Sequence, residues 1–429
     1  MENKKASFND LSSKVACLIL AGGQGTRLYP LTINKCKPSV TFGGRYRLID
    51  VPISNALNSN LRNIFVVSQF FALELNDYIQ KTYPLNDFQG GHLGLLSPEE
   101  RSEGKVWYQG TADAVRQNQR ELNKLDLEWV IVLSGDQLYN MDLSLLIQDA
   151  IEKDADITIA TLPVKENEAS RLGILKVNEA RDIVDFIEKP KDTKTLERFK
   201  SRSEDLKSFG IEENENATFF ASMGIYVFKK DLLFKVLNEQ KGHDFGKDII
   251  PAMIKTHKAS AFIHEGYWED IGTIASFYNA NLALKNNPKG FDLYNELLPI
   301  YAHRSFLPGA CIYGTNISDS MICDGCIIKG KEISNSIIGM RCVIQKGVKI
   351  KNSIVLGNRH YKTAKDTPFF IGENSHLDKV ILDENVHIGK NVELINKNKL
   401  DHYDGDNIYI RDGIIVVPSG AHIPDNFSI

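Results

Sequence analysis

Short runs of β-branched and aliphatic residues recur through the first part of the chain, each closed by small or polar residues. Val15–Leu20 (VACLIL) ends in Ala21-Gly22-Gly23, and Asn63–Ser68 (NIFVVS) is a second run. Trp129–Leu133 (WVIVL) ends at Ser134-Gly135-Asp136, and Ile157–Leu162 (ITIATL) is a fourth. Continuous apolar runs of this kind predict buried strands. Between them, Phe70–Tyr83, Ala112–Lys124 and Leu143–Lys153 read as helices. Strands alternating with helices predict an α/β unit, a mostly parallel sheet with helices on both faces. Ligands of such sheets sit beyond the carboxyl ends of the strands. The Gly22-Gly23 turn and Asp136 both fall at predicted strand ends, so a single cleft is expected to hold both.

After about residue 305 the period changes. Isoleucine or valine returns every five or six residues, at Ile312, Ile317, Ile322, Ile327, Ile333, Ile338, Val343, Val348 and Ile354, with Gly, Asn and Asp between them. A second run, Ile371, Leu377, Ile381, Val386 and Val392, follows an insertion. This period predicts a parallel β-helix, each short strand turning its aliphatic residue inward and the small residues taking the corners. A β-sandwich would space its strands wider, at about 8–12 residues. The divisions expected are a polar segment 1–14, an α/β unit 15–285, a linker 286–305 and a β-helix 306–429. The last helix before the linker is expected over Ala275–Leu284.

Composition adds exclusions. The chain has 429 residues, 42% hydrophobic and 25% charged, so whole-chain disorder is ruled out. A net charge of −4 argues against binding nucleic acid or another polyanion broadly, while leaving room for a local basic pocket. No apolar run approaches a membrane span, and Met1–Lys14 does not read as a targeting peptide. Six scattered cysteines (Cys17, Cys36, Cys311, Cys323, Cys326 and Cys342) suit a reduced, cytoplasmic protein. Cys323-x-x-Cys326 lacks a second pair at zinc spacing and reads as small residues in a turn.

Two segments carry candidate chemistry. In Leu20-Ala-Gly-Gly-Gln-Gly-Thr-Arg-Leu28, Gly22, Gly23 and Gly25 would let backbone N–H groups approach a phosphate chain, and Arg27 could neutralise it. A tight structural loop explains the glycines equally well. The segment is neither a Walker loop nor G-x-G-x-x-G. Lys37-Pro38-Ser39 follows, then Tyr46–Asn55 (YRLIDVPISN), an apolar stretch in which Asp50 and Asn55 are local hydrogen-bonding candidates.

These segments, together with WYQGTADAVRQN (Trp107–Asn118), SGDQLYNMD (Ser134–Asp142), FIEKP (Phe186–Pro190), ASMGIYVF (Ala221–Phe228), DFGKDIIP (Asp244–Pro251), GYWEDIGTIASFYNANLAL (Gly266–Leu284), VELINKN and the final GIIVVPSGAHIP, occur in one order. In that order the chain resembles the glucose-1-phosphate adenylyltransferase (ADP-glucose pyrophosphorylase) family over nearly all of Val15–Ile429, and looks closest to its cyanobacterial and plant branch. The resemblance implies a Rossmann-like nucleotidyltransferase domain followed by a left-handed β-helix of hexapeptide-like repeats. It implies the reaction of ATP with glucose 1-phosphate to give ADP-glucose and diphosphate, for glycogen or starch synthesis. It also implies Mg²⁺, a homotetramer, cytoplasmic location and an anionic allosteric effector.

Residue by residue, the resemblance places Arg27, Lys37 and Asp136 in catalysis. Asp136 and Asp270 would hold the metal, with Glu269 not excluded as the second ligand. Gly22, Gly23, Gly25, Thr26, Arg27, Tyr108, Gly110 and Thr111 would bind ATP. Gly173, Glu188, Lys189, Ser222 and Trp268 would bind glucose 1-phosphate, Lys189 anchoring its phosphate. There are departures. The basic triplet that many members carry before the lysine reads Asn34-Lys35-Cys36-Lys37 here, and the places of two activator lysines hold Glu393 and Ser419. Activation by a phosphoglycerate-type effector is thereby brought into question. Two competing readings are a modulatory subunit, which the retained Arg27, Lys37 and Asp136 weigh against, and an enzyme making UDP- or dTDP-glucose. A third, a β-helix acyltransferase using His360, His376 or His387, has no inferred acceptor pocket.

Overall fold

The computed structural model describes residues 11–85, 91–101, 104–105, 107–201, 206–207, 209–211, 218–288, 291–363 and 368–429. Most of the polar segment 1–14 lies outside them. Of its last residues, Leu11 packs against the core and Ser12 is buried.

The α/β unit is built on one nine-stranded sheet. Its strands are β1 (Val15–Ala21), β2 (Asn63–Ser68), β3 (His92–Leu96), β4 (Trp129–Ser134), β5 (Ile157–Val164), β6 (Gly173–Val177), β7 (Ile183–Glu188), β8 (Phe219–Lys229) and β9 (Ala259–Ile263). The order is β7-β6-β8-β4-β1-β2-β3, with β5 pairing β8 and β9. The four expected strands form where the apolar runs predict. All strands point one way except β7 and β8, which enter antiparallel. Alternate residues of β1 serve opposite faces. Cys17 and Ile19 join one core cluster, Ala16 and Leu18 another.

Sequential strands β1, β2 and β3 run outward on one side of β1, while β4 returns to its other side. The order therefore reverses between β1 and β4, and a crevice opens beyond their carboxyl ends. That is where Gly22-Gly23 and Asp136 lie.

Helices α1 (Asp50–Asn58), α2 (Ala72–Thr82), α3 (Thr111–Gln117), α4 (Leu143–Glu152), α5 (Lys230–Glu239) and α6 (Ile274–Ala283) cover the sheet. The helix expected over Ala112–Lys124 is broken at Asn118. That residue leaves helical geometry (φ −102°, ψ 8°), and its side chain donates to Ala114 O and the Tyr108 hydroxyl instead. The stretch around Asp50 is helical, not merely apolar core. Asp50 opens α1, fully buried, accepting from Arg47 N–H and from the hydroxyls of Tyr78 and Tyr83. The segment 291–301 is not a free tether. Tyr301 N–H donates to Ser54 Oγ (2.9 Å) and Asn58 Nδ2 to Pro299 O (3.0 Å), tying it along α1.

From Cys311 the chain climbs in parallel coils. In one face Ile317, Ile333, Ile350, Leu377 and Leu394 stack in register. In a second, Ile322, Ile338, Val355, Leu382 and Val417 do so. Asn335, Asn352 and Asn374 take corner positions with φ near +50°, which Asn tolerates better than branched residues. Asn335 Nδ2 donates to Asn352 Oδ1 (2.7 Å), so corner residues also bond from coil to coil. Three expected inward positions are corrected, the first being Ile312, which is 46% exposed in the opening coil. Ile327 is 38% exposed while Ile328 is buried, and Ile344 is buried where Val343 is not. Adjacent strand residues face opposite ways, so only one residue of each of these pairs enters the β-helix interior. An antiparallel hairpin, His402–Asp404 with Tyr409–Arg411, interrupts the coils without a signal in the period.

The two units share a core. Ile337, Ile354, Leu356, Ile381 and Val416 of the β-helix belong to the same buried cluster as Val15, Ile19 and Phe277. Cys323 and Cys326 are free thiols whose sulfurs approach the carbonyls of Gly43 and Gly339. Among the described residues no helix is long and apolar enough to cross a membrane.

Candidate active site

The site is assembled from strand ends. Gly22 and Gly23 leave β1 with ordinary φ, and a Cβ on Gly23 would meet nothing within 4 Å. Packing does not demand glycine there, and the bare backbone faces open space. Gly25 differs. It takes φ +66°, and a Cβ would stand 2.8 Å from Lys37 Cβ. Its role in the fold is to let the loop close onto the Lys37 segment. Gly25 and Thr26 line neither cavity described below.

Lys37 opens a 3₁₀ turn, Lys37–Ser39, and is almost wholly buried. Its Nζ lies 2.5 Å from Asp136 Oδ2 and 3.7 Å from Asp270 Oδ1. The two carboxylates are brought together by a small ladder in which Trp268–Asp270 pairs antiparallel with Gln137–Tyr139. Asp270 is opposite Gln137, and Asp136 directly precedes it. Burial works to raise the Asp136 carboxyl, but Lys37, the Ser134 hydroxyl and Arg27 outweigh it and hold it below the usual carboxylate range. Burial and the Asp136 charge push Asp270 up, against Lys37, Arg27 and Lys189. Glu269 lines the second cavity described below with Arg171, has no ion pair with Lys37, and is also raised, chiefly by burial. Asp270, not Glu269, therefore sits beside Lys37.

Two cavities meet at this centre. The first, about 410 Å³, is walled by Leu20, Gly22, Gly23, Val67, Gln69, Tyr108, Gly110, Thr111 and Ala114. Gln69 accepts from Tyr108 N–H (2.7 Å) and so fixes that wall. Gly110 is needed for space, since a Cβ would lie 2.4 Å from His243 O, the acceptor of the Ala112 and Asp113 N–H groups at the start of α3. The second cavity, about 380 Å³, is polar and holds Arg27, Lys37, Arg171, Gly173, Ser222, Trp268, Asp270 and Thr273. Asp136, Gln137, Glu188, Lys189, Gly224 and Tyr226 line both.

Glu188 lies in a cradle that side chains would fill. A Cβ on Gly173 or on Gly246 would come within 2.7 Å of its Oε2. Lys189 pairs with Glu188 at 2.6 Å and adopts φ +48°, a strained setting for a lysine that turns its ammonium to the cavity rim. Sequence reasoning did not single out Gln137. It is buried, accepts from Trp268 Nε1 (3.2 Å) and donates to Met223 O (2.8 Å), joining the seam between the cavities. Its position directly after Asp136 was the available signal. Gln69, Arg171, Gly224, Tyr226 and Gly246 were missed because only the tertiary fold brings them to the walls.

A crevice at the strand-order reversal, lined by bare glycine backbone, by the paired carboxylates Asp136 and Asp270 and by the cations Arg27, Lys37, Arg171 and Lys189, defines a site for anionic nucleotide and sugar phosphate chemistry. Residues 16–287 match the family model described as Nucleotidyl transferase, and the chain belongs to that family. Residues 305–427 match the GLGC left-handed parallel beta-helix domain, which gives the coils their hand. Together they make this chain a sugar-1-phosphate nucleotidyltransferase with a GlgC-type β-helix.

The two positions where the resemblance led activator lysines to be expected are engaged within the chain. Ser419 Oγ donates to Glu384 O (2.9 Å), and Glu393 pairs with Lys397.

Proposed function

We propose that the protein transfers the adenylyl group of ATP to α-D-glucose 1-phosphate, forming ADP-glucose and diphosphate for glycogen or starch synthesis. The observation that carries this reading is Lys37 seated between Asp136 and Asp270 where the two cavities meet. ATP would lie along the first cavity, its base against Tyr108 and the Gly110-Thr111 backbone and its phosphates over Gly22 and Gly23. Glucose 1-phosphate would lie in the second, its hydroxyls on Glu188 and its phosphate on Lys189. A sugar phosphate oxygen then faces the α-phosphorus in line, with diphosphate leaving toward Arg27.

No covalent enzyme intermediate is required, so the residues act by positioning and charge. Lys37 neutralises the α-phosphoryl oxygens as charge builds. Arg27 stabilises the departing diphosphate. The hard oxygens of Asp136 and Asp270 fit Mg²⁺, which typically takes one or two protein carboxylates; held there, it would supply charge neutralisation to the substrate phosphates. The test is diphosphate release from purified protein with Mg²⁺, glucose 1-phosphate and each of ATP, UTP and dTTP. Release with ATP above the others is expected, and none with ATP refutes the reading. Asp136→Asn should abolish release while leaving the thermal midpoint near wild type.

A further inference from the structure

Lys37 is carried on a short segment, Lys35–Thr41, and both ends of that segment are fastened to one turn of the β-helix. Lys35 Nζ donates to Asp383 Oδ1 at 2.8 Å and stands 3.7 Å from Glu384 Oε2. Thr41 Oγ1 donates to Glu384 Oε1 at 2.5 Å. The Lys35 and Asp383 side chains are 5% and 0% exposed, so the bond is made away from solvent. Arg359 closes the far side, donating to Glu384 Oε2 at 2.9 Å and to Glu74 Oε1 at 2.6 Å.

A buried ion pair contributes little net stability over an apolar replacement, because desolvation offsets the attraction. What it does supply is direction. Lys35 must reach its carboxylates, and Thr41 must meet the same turn, so the 3₁₀ turn between them has one placement. The outer loop adds a constraint, because Gly25 packs on Lys37 Cβ.

We propose that Asp383 and Glu384 of the β-helix are positioning residues for Lys37, holding its ammonium at the seam between the nucleotide and sugar cavities. The inference rests on the catalytic part given to Lys37 above. It assigns the β-helix a direct part in turnover, exerted through Lys35 and Thr41 and made with the chain's own carboxylates.

The test uses the full-length protein, measuring diphosphate release well below each variant's thermal midpoint. Asp383→Asn keeps the shape and removes the charge. Thr41→Val removes the second fastening with less risk to folding. A misplaced Lys37 should lower kcat about tenfold to a hundredfold in Asp383→Asn, and less in Thr41→Val, with KM for nucleotide changing less than about threefold. Asp383 also lines a cavity of about 150 Å³ between the two units, which gives a small anion a way in. In Asp383→Ala, sodium formate should therefore restore kcat above sodium chloride at equal ionic strength. A kcat within about twofold of wild type in both Asp383→Asn and Thr41→Val overturns the proposal. So does a formate effect confined to the thermal midpoint. A wild-type protein that releases no diphosphate from any nucleotide would instead refute the proposed function.

Discussion

Replacing Lys37 by Met keeps the length of the side chain and deletes its charge. In the wild type, Asp136 Oδ2 and Asp270 Oδ1 lie 2.5 Å and 3.7 Å from the same nitrogen, so these oxygens are at most about 6 Å apart. Without the ammonium they repel. At 6 Å and an effective dielectric of about 20 the repulsion is about 3 kcal/mol. Asp270 keeps 37% of its side chain exposed, so solvent reduces this to roughly 1–2 kcal/mol. The thermal midpoint should fall by a few degrees in metal-free buffer. Millimolar Mg²⁺ should then raise the variant's midpoint more than the wild type's, because a cation binding the folded pair replaces the lost counter-charge.

Turnover should not return with the midpoint. Removing one preorganised donor from a charge-developing site costs about a hundredfold to a thousandfold in kcat. Two assays decide the matter, a melting curve with and without Mg²⁺ and diphosphate release at saturating substrates. A variant that keeps near-wild-type kcat, or whose midpoint is insensitive to Mg²⁺ relative to wild type, refutes the assignment of this trio.

Two further outcomes follow from local geometry. Gly110→Ala forces a methyl to 2.4 Å from the His243 carbonyl, so it should cost about 1–3 kcal/mol and raise KM for nucleotide more than it lowers kcat; kinetics and melting matching wild type would refute the tight fit. Asp50 is pushed up to about 6 by burial, against the Arg47 N–H and the Tyr83 and Tyr78 hydroxyls, so the folded protein holds a proton between pH 3.8 and 6 that the unfolded chain has lost. Its contribution to stability falls as pH rises through that window, by about 3 kcal/mol. Asp50→Asn should remove this slope in denaturant titrations across the window, and a wild-type-minus-variant difference that stays flat with pH would refute it.

The amino-acid sequence by itself determined the two-unit layout. Apolar runs in the first part and an aliphatic residue every five or six positions in the second are local patterns, and strand and coil follow from them wherever the chain is placed. The glycine turn after β1 and Asp136 after β4 were legible for the same reason, each being adjacent to its own strand. The tertiary structure decided what no local pattern records. Whether Ile327 or Ile328 enters the β-helix depends on register against the neighbouring coil. The long strand Phe219–Lys229 runs antiparallel because it is the shared partner of β4, β5 and β6. Asp270 rather than Glu269 meets Lys37 because an antiparallel ladder sets it opposite Gln137. Lys35 finds its carboxylates 348 residues away, across an interface whose packing, not its sequence spacing, makes the bond.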